Sequence, residues 1–329
     1  MKIMDCTLRD GANVVGSGFS AALTTAMLDG LTSAHIPIIE MGNAKGLGAY
    51  ELANARDALT DLEYMELAQP YLAKAEIGMF LNASRFRSEN VALAGAHHLA
   101  FLRVGAAAGD GEKAKEVIAC VKQNGMKAFY SQMKAYLLTP QELAEEGVML
   151  ERFGVDEITI MDSAGTMKPD EAGEYVARLK EKVHVPIGFH GHNNVGMAAA
   201  NALAAYRAGA DIIDCGLLGM ARSAGNIATE IAASFPFQYE HKGEEDFFTL
   251  LSFLDQTLIP LMEKEGYHTP IKPLDLVYGL SGAHSSFAKR FKSIAAEKRV
   301  DLFRLIFAVS ARNRKNPDEE LIRAIADTL

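Results

Sequence analysis

Short apolar runs alternate with longer amphipathic segments along the first two thirds of the chain. Eight runs have the length and composition of buried strands, and they cover residues 2–8, 36–41, 76–81, 99–104, 126–132, 157–161, 186–190 and 211–215. In the segments between them, such as 112–124 and 140–153, apolar residues recur at intervals of three and four. That spacing predicts amphipathic helices.

Glycine and proline mark the ends of these helices. Gly125 and Gly154 follow two of the helical segments, where a left-handed residue commonly ends a helix. Pro140 and Pro169 stand where a helix would begin, since the first turn leaves its N–H groups unbonded anyway.

The alternation predicts a fold. Strands that are separated by crossover helices must run parallel. Eight such units predict an α/β protein whose residues 1–236 form a (β/α)8 TIM barrel. The alternative is an open, doubly wound sheet, but no G-x-G-x-x-G follows the first strand, which disfavours it.

Beyond residue 236 the alternation ends, and we expect a separate helical domain over residues 240–329. Its apolar positions Phe247, Leu250, Leu251 and Leu254 should be buried, against the barrel or a second subunit. Residues 289–315 carry nine Lys or Arg against two acidic residues, which indicates a solvated helix face or a surface for an anionic ligand or partner.

Composition narrows the class of protein. The net charge of −9 argues against nucleic acid as a partner, because phosphate binding needs a positive field. Cys6, Cys120 and Cys215 are far apart and odd in number, which fits a reducing compartment better than a disulfide framework. Without a signal peptide or an apolar run of transmembrane length, we expect a cytoplasmic protein with no membrane partner.

The stretch DCTLRDGANV contains the first candidate site residues, because it places Arg9 and Asp10 at the end of the first predicted strand. In a TIM barrel the active site lies at the carboxyl ends of the strands. At the end of the seventh strand, His190 and His192 are two residues apart, so an extended chain would point both imidazoles the same way. We therefore predict that Asp10, His190 and His192 bind one divalent cation.

Three protein ligands leave coordination positions open, which is typical of a catalytic metal site. Oxygen and nitrogen ligands suit Mn²⁺, Mg²⁺, Co²⁺ or Zn²⁺, of which we expect Mn²⁺. Such a metal can hold a 2-oxo acid through its carboxylate and keto oxygens. Arg9 beside it would then stabilise the oxygen of an enolate, which would explain the two opposite charges.

Two further polar residues fit this site. Ser163 follows the sixth strand and either donates a hydrogen bond to a substrate carboxylate or caps a helix. Asn226 lies in GMARSAGN after the eighth strand and is either a fourth ligand, a residue that supports the ligands, or an ordinary loop asparagine.

Four stretches give the chain a family resemblance: TLRDG, DSAG, HGHNNVGMAAANALAAYRAGADIIDCGLLGMARSAGN and GLSGAHSSFAKRF. Across essentially its whole length the chain resembles the 4-hydroxy-2-oxovalerate aldolases, which belong with hydroxymethylglutaryl-CoA lyase and isopropylmalate synthase. The resemblance implies that Asp10, His190 and His192 are metal ligands, that Arg9 stabilises an enolate and that Ser163 binds the pyruvate carboxylate. It also implies a homo-oligomer, or binding of an aldehyde dehydrogenase through the C-terminal domain.

The chain departs from the aldolases at two places. They carry a histidine as acid/base where this chain has Asn13, which we place at the substrate, and tyrosines where it has Leu280 and His284. Because an amide does not shuttle protons near neutral pH, we predict that His284 takes over proton transfer.

The function that follows is cleavage or formation of a 4-hydroxy-2-oxo acid from pyruvate, or a related 2-oxo acid, and an aldehyde. A Claisen-type lyase or synthase that uses an acyl-CoA is the first alternative, and a non-catalytic relative that binds a 2-oxo acid is the second. Intact Arg9, Asp10, His190 and His192 count against the non-catalytic relative.

Overall fold

The computed structural model describes residues 1–52, 59–240, 242–269, 272–283, 287–313 and 316–329. The chain divides into two compact units, Met1–Gly243 and Glu244–Leu329. None of the helices in these ranges is long and apolar enough to cross a bilayer.

The first unit is a closed barrel in which parallel strands follow one another in chain order. The strands are β1 Lys2–Asp5, β2 Ile38–Met41, β3 Glu76–Asn82, β4 Phe101–Ala107, β5 Lys127–Met133, β6 Glu157–Asp162, β7 Ile187–Gly191 and β8 Ile212–Cys215. Each predicted run overlaps one of them. The predicted TIM barrel is therefore confirmed, and the open sheet is wrong.

Helices connect the strands of the barrel. They are α1 Ala21–Ser33, α2 Asp61–Ala68, α3 Ser88–Ala96, α4 Lys115–Gln123, α5 Pro140–Arg152, α6 Pro169–Lys180, α7 Ala198–Arg207 and α8 Thr229–Phe235. Pro140 and Pro169 are the first residues of their helices, as the sequence predicts. At α5 the side chains of Thr139 and Glu142 bond each other's backbone N–H groups, which satisfies two of the unbonded donors of the first turn.

The predicted first strand, residues 2–8, was wrong at its C-terminal end, next to the candidate site residues. β1 ends at Asp5, and Arg9 and Asp10 lie in the turn that follows rather than on the strand. The N–H groups of both residues donate to the carbonyl oxygen of Cys6, at 3.1 and 2.8 Å. Leu8 continues the apolar run, but it is buried in this turn instead of in a strand.

The second unit consists of helices α9 Glu244–Phe253, α10 Ile259–Lys264, α11 Pro273–Ser281, α12 Ala288–Lys298, α13 Leu302–Arg312 and α14 Glu319–Ala326. The apolar positions that were expected to be buried are buried in the single chain; they are Phe247, Leu250, Leu251 and Leu254. They therefore offer no open face to a second subunit. Part of the basic stretch is paired with acidic side chains, since Lys298 binds Asp327 and Arg304 binds Glu245.

Candidate active site

Three ligand-type side chains meet at the carboxyl end of the barrel. Asp10 comes from the turn after β1, His190 from the end of β7 and His192 from just beyond it. Asp10 Oδ2 lies 3.5 Å from His190 Nε2 and 3.7 Å from His192 Nε2. One ligand atom from each lies within 4.8 Å of the others, and all three residues are buried. The structure thus brings together the three residues that the sequence singles out.

Asn226 joins this group from the loop after β8. Its Nδ2 donates to Asp10 Oδ2 at 3.2 Å, and its backbone forms an isolated bridge with His192. Its Oδ1 and His190 Nε2 are buried and have no hydrogen-bond partner among the described residues. Buried polar atoms without partners are rare because each is costly. A carboxylate oxygen, imidazole nitrogens and an amide oxygen in one place fit a divalent cation.

A second set of ligand-type residues, Cys6, His190 and Asp214, is also close together. Its atoms are already engaged, since Arg103 Nη1 donates to Asp214 Oδ2 and Arg103 Nη2 to Cys6 Sγ. His190 Nδ1 lies 3.0 Å from Asp214 Oδ2, to which it donates. That bond fixes the ring and leaves Nε2 as the ligand atom, as carboxylates behind metal-binding histidines do. Asp214 therefore positions His190.

Charged side chains inside the barrel link the two sides of this site, and we refer to Asp10, Arg9, Glu40, Arg103 and Asp214 as the buried charge network. Glu40 Oε1 accepts from Arg103 Nε at 2.7 Å, and its Oε2 accepts from Arg9 Nε at 2.6 Å. Arg9 Nη1 in turn lies 3.2 Å from Asp10 Oδ1. Opposite charges alternate along this network, so no buried charge in it is left without a counter-ion.

Sequence reasoning missed Glu40, Arg103 and Asp214. Each is a single charged residue within an otherwise apolar strand, in IIEM, FLRV and IIDC. A lone charge in a buried strand is the signal that could have identified them, because such a charge needs a partner.

For Asp10 and His192, the electrostatics of the site favour the protonation states that a metal needs. Burial raises the pKa of Asp10, but Arg9 and the two histidines outweigh it and hold that pKa well below its usual range. Burial and the neighbouring His190 lower the pKa of His192 to about 3. Burial also lowers the pKa of His190, but the neighbouring carboxylates of Asp10 and Asp214 outweigh this and raise it. Asp10 is therefore charged and His192 neutral near pH 7, as ligands must be.

Arg9 and Ser163 line a cavity of about 500 Å³ beside His190 and His192. The Nη2 of Arg9 is buried and has no hydrogen-bond partner among the described residues. Ser163 does not cap a helix, since α6 begins at Pro169 after Lys168. Its Oγ accepts from Lys134 N at 2.9 Å, so its hydroxyl proton is left to donate.

The DSAG loop lies close against the chain that carries the histidines. Gly165 has a φ of +62°, and a Cβ there would lie 2.5 Å from the carbonyl oxygen of His192. The carboxylate of Asp162 accepts from the N–H groups of Thr166 and Met167, which holds this loop. Glycine is thus required for Ser163 and His192 to face one cavity.

The two remaining predicted residues are Asn13 and His284. Asn13 Nδ2 donates to the carbonyl oxygen of Asp10 at 2.8 Å and lies 3.4 Å from its Oδ1, so its amide holds the turn of Asp10. It is not among the described residues that line the cavity. His284 falls outside the described residues.

Comparisons with known proteins identify relatives of the chain. A family model described as HMGL-like matches residues 1–235. The chain is 32% identical, over 99% of its length and 94% of the relative, to 4-hydroxy-2-oxovalerate aldolase 2 of Nocardia farcinica. It is 28% identical over its whole length, and 97% of the relative, to 4-hydroxy-2-oxovalerate aldolase of Geobacillus genomosp. 3.

Among solved structures, the carboxyl transferase domain from Rhizobium etli pyruvate carboxylase is similar with a TM-score of 0.67. The match covers 99% of this chain and 59% of that one at 16% identity. At that identity the likeness shows the fold alone.

Proposed function

Since the chain belongs to the HMGL-like family, we propose that it is a divalent-metal-dependent aldolase that cleaves or forms a 4-hydroxy-2-oxo acid. Cleavage yields pyruvate, or a related 2-oxo acid, and an aldehyde, and formation joins the same two compounds. The observation that carries this proposal is the meeting of Asp10, His190, His192 and Asn226 beside an arginine with a buried, unpartnered nitrogen.

Asp10, His190 and His192 would hold the metal, with Asn226 Oδ1 as a further ligand. We propose Mn²⁺, with Mg²⁺, Co²⁺ and Zn²⁺ as ions that the same donor set accepts. When bound, such an ion acts as a Lewis acid that polarises the 2-oxo group of the substrate.

Residues of the chain bind the substrate and stabilise the charge that develops during cleavage. In cleavage, a base removes the proton of the 4-hydroxyl group, the C3–C4 bond breaks and the aldehyde is released. The electron pair of that bond moves onto C3 and is delocalised to the C2 oxygen, where the Nη2 of Arg9 stabilises the enolate. Ser163 donates to the carboxylate and so fixes the 2-oxo acid. A proton returned to C3 yields pyruvate.

The base is the part of the site that the described residues do not supply. Asn13 is an amide bound to Asp10, and we propose that His284 performs proton transfer, as an imidazole titrates near neutral pH. Asn13 then acts on the substrate only indirectly, by holding Asp10.

The chain's partners and location are proposals too. The three cysteines are free thiols, which fits a cytoplasmic protein. We propose a homo-oligomer, which light scattering tests against the 35.6 kDa mass of one chain. An aldehyde dehydrogenase that docks on the helical unit would co-purify with the chain from its source.

The test begins with the 2-oxo acid alone. Purified protein with Mn²⁺ should exchange the methyl protons of pyruvate with D₂O, and a chelator should abolish the exchange. Pyruvate should then be released from 4-hydroxy-2-oxo acids, while acyl-CoAs release no thiol. Thiol release without pyruvate release would identify a Claisen-type enzyme instead, and neither reaction would indicate a non-catalytic protein.

A further inference from the structure

The cavity at the mouth of the barrel is rich in positive charge, although the chain as a whole carries a net charge of −9. Arg9, Lys45, Lys134 and Arg222 all line it, and none of the described residues in its lining is acidic. A cleft lined by one sign of charge attracts ligands of the opposite sign.

Arg9 does not account for this excess. Its guanidinium is paired with Glu40 and Asp10 inside the barrel, so its charge is balanced by the protein. The proposed reaction gives it one task, the enolate oxygen. Lys45, Lys134 and Arg222 line the same cavity, and the proposed reaction has not yet given them a role.

Arg222 is the best placed of them. Its Nη2 donates to the carbonyl oxygen of Ser163 at 2.7 Å and lies 3.1 Å from His192 Nε2. Among the described residues, no carboxylate pairs with Arg222, and its Nη1 and Nε have no hydrogen-bond partner. A guanidinium with Nη1 and Nε left over keeps cationic donors for the oxygens of a carboxylate or phosphate.

Metal binding by His192 would free one more donor of Arg222. An imidazole nitrogen has one lone pair, so a His192 that ligates a metal through Nε2 cannot also accept from Arg222. Arg222 would keep its bond to Ser163 and turn a further donor to the cavity.

Arg222 and Lys134 are both hydrogen-bonded to Ser163. Ser223 and Lys134 both have a φ of +57°, which is uncommon for residues other than glycine. Ser223 Oγ accepts from Asn194 Nδ2 at 2.8 Å, and Lys134 N donates to Ser163 Oγ at 2.9 Å. Such backbone conformations persist where the surrounding contacts enforce them, often at binding sites.

The geometry points to a second anionic group on the substrate: the aldehyde half carries a carboxylate or a phosphate, which Arg222 binds together with Lys134. This inference rests on the proposed aldolase function and adds the class of aldehyde to it. The walls contributed by Phe80, Met133 and Met161 leave a cavity of about 500 Å³, enough for an acidic aldehyde of a few carbons beside pyruvate.

Aldehydes matched in length test the inference. With pyruvate and Mn²⁺, kcat/KM is measured for succinic semialdehyde against butanal, and for glycolaldehyde phosphate against glycolaldehyde. The variant is Arg222→Gln, and the matched control is Arg178→Gln, an exposed arginine on α6 that pairs with Glu181. Pyruvate proton exchange in D₂O is followed in every protein.

We expect Arg222→Gln to lower kcat/KM for one of the two anionic aldehydes by about 10–100-fold, the scale of a hydrogen bond to a charged group. The loss for the matching neutral aldehyde and for pyruvate exchange should be clearly smaller than that for the anionic aldehyde, and the Arg178→Gln protein should behave as the wild type does. The aldehyde that is affected identifies carboxylate or phosphate.

Two results would overturn the inference. Equal losses for neutral and anionic aldehydes, together with slower pyruvate exchange, would place Arg222 on the 2-oxo acid. A wild-type protein with no preference for either anionic aldehyde would remove the subsite.

Binding separates a failure of the inference from a failure of the proposed function. Calorimetric titration of the metal-free protein with glutarate and with butyrate needs no turnover. Tighter binding of glutarate that is lost in Arg222→Gln supports the subsite even if no proton exchange occurs, in which case only the aldolase proposal fails. Equal binding of the two acids contradicts the subsite.

Discussion

Two buried carboxyl groups in the barrel, Asp214 and Glu157, should differ in how much stability is lost when each is replaced by the corresponding amide. Burial raises the pKa of Asp214, but Arg103 and His190 outweigh it, so its pKa lies below the ordinary value. Burial raises the pKa of Glu157 from 4.5 to about 8. Near pH 7, therefore, Asp214 is a carboxylate and Glu157 is largely a neutral acid. Asp214→Asn removes a charge, whereas Glu157→Gln replaces one neutral group with another.

The structure gives the size of the difference. Asp214→Asn takes one of two counter-ions from Arg103, which is fully buried and keeps only Glu40. Breaking a buried ion pair costs about 3–5 kcal/mol, and the retained Glu40 places this case near 3 kcal/mol. For a domain of this size that lowers Tm by about 6–12 °C. Glu157→Gln should cost about 1 kcal/mol or less, because it strands no charge.

Metal binding provides a second readout that a purely structural loss would not move. Asp214 holds Nδ1 of His190, so Asp214→Asn should weaken Mn²⁺ binding by about 10–100-fold. Glu157→Gln should bind Mn²⁺ as the wild type does. Thermal unfolding of the metal-free proteins, followed by circular dichroism, and calorimetric Mn²⁺ titration measure the two effects. Equal losses of stability in both variants, or wild-type Mn²⁺ affinity in Asp214→Asn, would refute the reasoning.

Three further predictions concern charge and ligands. As the pH rises from about 5 to about 8, the wild type should lose stability relative to Glu157→Gln in urea unfolding, because folded Glu157 keeps a proton that the unfolded chain has released. A difference in unfolding free energy between the two proteins that stays constant with pH would contradict the raised pKa. Arg9→Ala should lose about 10²–10³ in kcat, and undiminished pyruvate exchange would remove Arg9 from the mechanism. His192→Ala should retain less than one Mn²⁺ per chain after dialysis, whereas stoichiometry equal to that of the wild type would exclude it as a ligand.

The fold could be predicted from the sequence because each strand is a short apolar run bounded by helix signals. The pattern failed where a buried segment is not a strand. Leu8 is 1% exposed and extends the apolar run of β1, although the chain has already turned at Cys6. Hydrophobicity reports burial, and it does not distinguish a strand from a turn that the barrel covers.

The ligand set could be predicted in part, because His190 and His192 are neighbours in sequence and project to one side. Their supports could not. Arg103 is 63 residues from Glu40 and 111 from Asp214, and no spacing rule connects residues that only the closure of the barrel brings together. Sequence reasoning also did not identify Arg222, since its contact with His192 depends on how the loop after β8 folds back.

The buried charge network explains how a barrel of this kind can accommodate the proposed metal site. Burying charges destabilises a fold unless each has a partner. Here one end of the network is Asp10, and the other end is Asp214, which holds His190. Both ligands are thereby tied through Glu40 and Arg103 to residues on different strands, so neither can shift without disturbing the ion pairs of the barrel interior. The ion pairs that stabilise the polar interior therefore also set the distance between two ligands of the site, and a change in the network should alter stability and metal affinity together.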